Sequence, residues 1–404
     1  MTGQQQVNLA DVELFVRGEH PEAFRHLRAT SPVHWNQDGQ GGGFWALTRY
    51  EDVLWAYREH TTLSSEGGAV LGGSFRKETD SAAGRMLVAS DLPRHRLLKQ
   101  QLHPALSQQV AQRVSRQVDE LVGKALRRAL AAGGCDFATD VAAELPAGAL
   151  MVITGVSHTE AHRLIGMTRR MVGYRDELYV DTGDNQRLRL AWLQAEIFEF
   201  FADLVEHRRR HPGDDLVSLL LGSRINGRPV SEEEILFNCL NVAVGGNETS
   251  AHTACAAVQA FIDHPDQREL LCRDPGLMPG AVEEVLRWAS TNAYVQRVAK
   301  QDIRRGDVLI RTGDSVTLWN VSANHDESEF TDPERFDILR SPNRHLSYGA
   351  GLHRCIGAPV AQEELTVLLR RVLLGPAQFS SITPPVRMRS NFILGVQSMP
   401  LEIR

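Results

Sequence analysis

The sequence predicts a mainly α chain with small β-sheets, and three observations carry that expectation. Apolar residues recur at helical spacing from Pro93 to about Leu150 and again from Glu160 to Leu221. Residues 235–262 form a long apolar stretch whose one charge is Glu248. Runs that favour strands are confined to regions near the start and the end. The 404 residues are 42% apolar and 23% charged, which excludes a largely disordered or collagen-like chain. No repeat or low-complexity linker divides them, so residues 1–404 read as one domain.

In chain order, Pro32-Val-His-Trp and Gly43-Phe-Trp-Ala-Leu-Thr-Arg-Tyr suggest strands over residues 31–56, around a Gly-rich turn at 39–43. Residues 62–90 hold Ser, Gly and few periodic apolars and read as a long loop, a feature that is often functional. His211-Pro-Gly-Asp-Asp separates two helices. Ser231-Glu-Glu-Glu opens the long helix, with a Ser N-cap, acids in the first turn and Glu234 completing a capping box. A membrane span needs ~20 mainly apolar residues. Residues 235–262 are long enough but carry Asn238, Asn241, Asn247 and His252, so they read as a buried core helix with no membrane partner. Residues 293–320 return to strand, most clearly at Asp314-Ser-Val-Thr-Leu-Trp; 358–373 is a helix and 386–396 a hairpin.

Lys plus Arg number 44 and Asp plus Glu 50, a net charge of −6 that gives no indication of a nucleic-acid partner. Five cysteines, with no CxxC pair, fit neither a disulfide scaffold nor a Cys-rich zinc module. The N-terminus lacks the charged and apolar regions of a secretory signal. A cytoplasmic, monomeric protein is the expectation.

The strongest signal is Tyr348-Gly-Ala-Gly-Leu-His-Arg-Cys355-Ile-Gly-Ala. Two glycines allow a loop that holds its N–H groups toward the sulfur. A helix starts just after Cys355, since Pro359 is tolerated only in a first turn, and its N-terminus aims positive potential at the sulfur. Such a site pulls a thiol toward thiolate. A lone thiolate is a poor zinc site and a known axial ligand of haem iron. Cys135, Cys239, Cys255 and Cys272 read as packing residues. In the long helix, Gly245 and Gly246 each cost ~1 kcal/mol relative to Ala, and a buried Glu248 costs more unless paired. Either the glycines pack closely on another helix, or they open a groove where a hydroxyl and an acid deliver protons to dioxygen.

The Cys355 segment resembles the haem-binding loop of the cytochrome P-450 superfamily, Phe-Gly-x-Gly-x-His-x-Cys-x-Gly, with Tyr348 in the place of Phe. The Tyr348 phenol either adds a hydrogen bond or packs as Phe does. Gly245-Gly246-Asn247-Glu248-Thr249-Ser250 resembles the family's Ala/Gly-Gly-x-Asp/Glu-Thr-Thr/Ser signature. The resemblance implies the cytochrome P-450 fold, with haem b buried between the long central helix and the Cys-bearing loop. It implies Cys355 as the metal ligand, Thr249 hydrogen-bonding dioxygen and Glu248 relaying protons, which argues against a purely peroxide-driven enzyme. Ser90-Asp-Leu-Pro-Arg-His95-Arg-Leu-Leu-Lys99 resembles the family stretch whose cations bind haem propionates, with Lys99 for Arg. His95, Lys99, Arg297 and His353 are the implied propionate contacts, and Tyr348 completes the cofactor set. By the same likeness Glu284, Arg287 and Arg335, from Glu-Val-Leu-Arg and Phe330-Thr-Asp-Pro-Glu-Arg-Phe, form a structural lock beneath the haem.

Substrate contacts implied by the resemblance are Asn241, Val244, Gly245, Asn292, Ala293, Tyr294, Asn391 and Phe392, with the loop at 65–90 and the stretch near 165–190. The motif style is similar to bacterial enzymes that tailor natural products. The implied activity is a monooxygenase that takes electrons from a ferredoxin and its reductase, greeted by Arg94, Arg96, Arg344 and Arg354. The substrate is a small secondary metabolite or precursor, free or held on a carrier protein. Hydroxylation, epoxidation and oxidative coupling share one oxidant and stay open. A non-catalytic haem binder on the same scaffold is the competing reading.

Overall fold

The computed structural model describes residues 7–37, 42–69, 81–174, 176, 186–375 and 377–404. Its axis is the helix Glu232–Asp263, opened by Ser231 in the expected reciprocal capping box with Glu234. Eighteen of its side chains are buried, among them Phe237, Leu240, Ala254 and Phe261, because helices surround it. Glu144–Thr154, His158–Val172, Gln186–Arg210, Met278–Ala289 and Ala358–Leu373 all pack on it and share one apolar core. Gln108–Ala132 closes the bundle against Glu144–Thr154 and Ala358–Leu373, starting on the Ser107 cap and ending on left-handed Gly133.

A five-stranded sheet flanks the bundle in the order Val33–Gln37, Gly43–Leu47, Ser315–Trp319, Tyr294–Ala299, Leu63–Ser64. Ser315–Trp319 runs parallel to Gly43–Leu47 and antiparallel to Tyr294–Ala299, so it is buried along its whole length. The terminal hairpin pairs Val386–Arg387 with Val396–Ser398.

Three expectations change. Residues 31–56 are strands only as far as Leu47; Tyr50–Arg58 is a helix. Its run of Tyr, Val, Leu and Trp looks strand-like, but Asp326, distant in sequence, accepts from the Tyr50 N–H at 2.7 Å and caps a start that has no local side-chain cap. The long loop at 62–90 contains a short strand, Leu63–Ser64, and a 3₁₀ turn, Leu87–Ala89; residues 70–80 lie outside the described residues, as do 38–41 of the Gly-rich turn. Among the described residues, the stretch long and apolar enough to cross a membrane is Phe137–Thr154 rather than 235–262, and 78% of it is buried inside the protein.

The lock beneath the site also differs from expectation. Glu284 and Arg287 are fully buried and joined by two 2.8 Å hydrogen bonds. The second guanidinium on Glu284 belongs to Arg340, at 3.1 Å, while the Arg335 side chain is exposed. Arg335 contributes its carbonyl, which accepts from Arg287 and Arg340. Asn343 and the Asp337 N–H fill the remaining carboxylate positions. The network matters for the site because Asn324, whose carbonyl accepts from Arg287, holds Leu346 and Ser347 at the entrance to the Cys355 loop. Losing one partner of a buried ion pair costs ~3–5 kcal/mol, and an exposed change stays within ~0.5 kcal/mol. Arg340→Ala is therefore expected to lower stability by ~3 kcal/mol in urea unfolding. Arg335→Ala, which keeps the carbonyl, is expected to leave it unchanged.

Candidate active site

A cavity of about 750 Å³ lies between the middle of Glu232–Asp263, the loop carrying Cys355 and the edge of the five-stranded sheet. The Cys355 loop is set by a tight approach to Tyr57. Gly349 and Gly351 have φ of 63° and 65°, and a Cβ on either would come within 2.9 Å of the Tyr57 ring or carbonyl. Only glycine fits that backbone there. The Cys355 N–H donates to the Tyr348 carbonyl at 2.8 Å, closing the loop just before Ala358–Leu373 begins, with Pro359 in its first turn.

The Cys355 sulfur sits in the cavity wall. Burial raises its pKa; the N–H groups of Gly357 and Ala358 and the charges of Arg354 and Lys99 oppose this without overcoming it. The expected pull toward thiolate is thus present as donors and charges, but desolvation outweighs it in the protein alone. Tyr348 packs beside His345 and under Arg354, and its buried hydroxyl has no hydrogen-bond partner among the described residues. The phenol packs as Phe would. Burial, with the Cys355 charge adding to it, pushes its pKa far up.

Gly245 and Gly246 face open space: a Cβ on either meets nothing within 4 Å. They open a groove and do not pack on another helix. Thr249 lines the same groove, and its hydroxyl donates to the Gly245 carbonyl at 2.7 Å. Glu248, the next residue round the helix, is not in the cavity wall. It is fully buried against His158–Val172, bonded to Thr168 and His252 at 3.2 Å each, with Arg169 at 3.6 Å. Burial raises its pKa, but His252, Arg169 and Thr168 overcome that and hold it low.

Asn241, Val244, Gly245, Asn292, Tyr294, Asn391 and Phe392 all line the cavity. Ala293 does not. It is 0% exposed in the apolar cluster with Leu9 and Phe15, and its N–H donates to Phe392 O. Asn292 and Tyr294 reach the cavity on either side of it, while Ala293 packs behind the wall in a cluster that Tyr294 shares. Of the stretch near 165–190, Met171, Val172, Tyr174 and Leu190 reach the wall, while residues 175 and 177–185 lie outside the described residues.

An acidic wall residue was missed. Glu364, on Ala358–Leu373, is fully buried and accepts from Ser250 Oγ at 2.5 Å on Oε2. Its other oxygen has no partner among the described residues. Burial pushes its pKa up to about 7, against the Ser250 hydrogen bond. The signal was an acid amid Val360, Leu365 and Leu368, the buried face of an amphipathic helix.

A sequence model described as Cytochrome P450 matches residues 276–391. The chain is 32% identical to Cytochrome P450 NovI of Streptomyces niveus, over 99% of this chain and 97% of that protein. This chain is a cytochrome P450. It is also 32% identical to a steroid C26-monooxygenase of Mycolicibacterium smegmatis, over 99% and 97% of the two proteins. Its fold matches the crystal structure of P450 OxyD, described as involved in the biosynthesis of vancomycin-type antibiotics, with TM-score 0.87 and 32% identity over 98% and 99% of the chains. The cytochrome P450 fold, the monooxygenase class and the haem b and dioxygen that go with it are therefore this protein's.

The cavity of this P450 fits a haem. Arg297 is a buried guanidinium with no carboxylate ion-pair partner among the described residues, its Nη1 spent on the Gln296 carbonyl. His95 and His353 stand beside it with ring centroids 4.1 Å apart. Burial, then neighbouring cations, lowers their pKa values to about 4 and about 2. Lys99 is lowered too, by burial first. The acid near them is Asp91, which Lys300 pairs at 3.6 Å; basic groups crowded like this are what two propionate carboxylates would relieve. Lys99, however, donates to the carbonyls of Leu352 at 2.8 Å and Arg354 at 3.2 Å, so in this structure it braces the Cys355 loop.

Proposed function

We propose that Cys355 binds the haem iron through its sulfur, that Arg297, His95 and His353 take the propionates, and that Lys99 holds the loop between them. The observation that carries this is the joint placement in one cavity wall of Cys355 and of Arg297, which has no ion pair among the described residues. Bound there, haem supplies the reductive activation of dioxygen, inserting one atom into substrate and releasing the other as water. The chain supplies protons and position. Thr249 presents its hydroxyl to the groove opened by Gly245 and Gly246. Glu364 holds a proton at Oε1, with Ser250 fixing Oε2. Glu248, clamped by Arg169 and His252, reaches the groove only by leaving that clamp.

The substrate in this reading is a small, mainly apolar secondary metabolite or precursor carrying a hydroxyl or amide. OxyD's part in antibiotic biosynthesis supports the class. Asn241 supports the polar group. Asn391 is tied to Leu9 O at 2.9 Å and Asn292 accepts from Asn320 at 3.3 Å, whereas the Asn241 amide has no hydrogen bond among the described residues. The enzyme works in the cytoplasm, where its five free cysteines stay reduced.

Electrons come from an acidic ferredoxin that docks over the Cys355 loop. Arg96 and Arg354 are exposed there, and Arg344 is exposed with Glu329 at 3.6 Å. Arg94 leaves the set, because it pairs with Glu234 of the central helix and donates to Gly84 O. Reversing Arg96 and Arg354 to Glu is expected to slow ferredoxin-supported turnover about tenfold at low salt, and the gap is expected to narrow above ~0.1 M salt, where exposed charges are screened. Equal rates for parent and variant at low salt would remove this docking face.

A further inference from the structure

Away from the cavity, three metal-ligating side chains converge where Glu144–Thr154 meets His158–Val172. His158 and His162 are one turn apart on the latter helix and face the same way. Glu144, buried at the first position of the other helix, turns Oε2 toward both. His158 Nε2 lies 2.8 Å from Glu144 Oε2, His162 Nε2 lies 3.5 Å from it, and the two ring nitrogens are 3.1 Å apart. Among the described residues this is the one group of three such side chains whose ligand atoms share a point.

Protons satisfy this triangle poorly. A neutral imidazole Nε2 carries either one hydrogen or one lone pair. If both donate to Glu144, two N–H groups oppose each other at 3.1 Å; if one donates to the other, a ring loses its bond to the carboxylate. A cation in the middle uses all three lone pairs at once. Ligands at ~2.0–2.1 Å from a zinc ion stand about 3.3 Å apart, close to the three edges seen here. Two imidazoles and a carboxylate are a zinc ligand set that leaves a fourth position for water, and the His158 side chain is 44% exposed, so water can reach it. Arg128 stands on the far oxygen of Glu144, at 3.7 Å, where it orients the carboxylate from outside the triangle.

We propose that Glu144, His158 and His162 form a binding site for a divalent first-row transition cation, with zinc as the representative ion. The site joins two helices. His158–Val172 also carries Thr168 and Arg169, which clamp Glu248, and Met171, which lines the cavity. A bound ion therefore fixes the base of the helix that forms part of the active-site wall.

The test is calorimetric titration of zinc chloride into haem-loaded, tag-free full-length protein stripped of metal by chelator. One equivalent is expected to bind saturably, with zinc-edge X-ray absorption reading four nitrogen or oxygen ligands at ~2.0–2.1 Å, two of them imidazoles. His158→Asn and His162→Gln, each keeping a polar side chain, are expected to weaken binding at least tenfold while the haem Soret band stays as in the parent. Zinc bound equally by parent and both variants, or not bound at millimolar concentration, overturns the proposal. A scattering shell dominated by sulfur does so too, since it would place the ion on cysteines.

Discussion

Cys355→Ser is expected to lower substrate oxidation by more than ~100-fold, because outer-shell changes around a metal alone cost ~10–100-fold and this change removes the proposed ligand itself. The serine oxygen occupies the same loop. The N–H groups of Gly357 and Ala358 stay in place, as do the φ values of Gly349 and Gly351 and the brace from Lys99. The fold is therefore expected to persist, with unfolding close to that of the parent. Loss of activity with the fold kept separates ligation from structure. Arg340→Ala, by contrast, acts through the Glu284 network and lowers stability. Substrate oxidation by Cys355→Ser at the parent rate would show that another group holds the iron.

The second large effect concerns proton supply. Glu364→Gln keeps the shape of a fully buried side chain and can still accept from Ser250, but it has no proton to give. A positioned general acid contributes ~10²–10⁴-fold, so product formation is expected to fall ~10²-fold while electrons continue to be consumed. The pH profile carries the sign. Burial raises the Glu364 pKa from 4.5 to about 7, so the carboxyl keeps its proton below that pH and loses it above. Product formation by the parent is expected to decline as pH rises through about 7, and the Gln variant is expected to lack that limb. Ser250→Ala removes the hydrogen bond that lowers this pKa, so it is expected to move the limb to higher pH. A Gln variant that keeps the limb and the rate would return the proton source to Glu248.

What the sequence revealed, and what it hid, follows the range of the interactions involved. The Ser231 capping box, the glycines before Cys355 and the break at 211–215 act within a few residues and could be read directly. The Tyr50 helix could not, because its cap comes from Asp326. Arg335 and Arg340 lie five residues apart in a segment of turns, where only the folded path shows which guanidinium folds back onto Glu284. Ala293 sits between two cavity residues in sequence but is buried behind the wall. Glu364 was passed over, although an acid on an apolar helix face is a sign of function.

Ligation of the iron by the Cys355 thiolate, as proposed, can be read directly. The direct measurement is the Soret band of the reduced, haem-supplied protein under carbon monoxide. A strongly red-shifted band is expected if thiolate holds the iron. An unshifted band would mean a neutral thiol or a histidine on the iron and would contradict it.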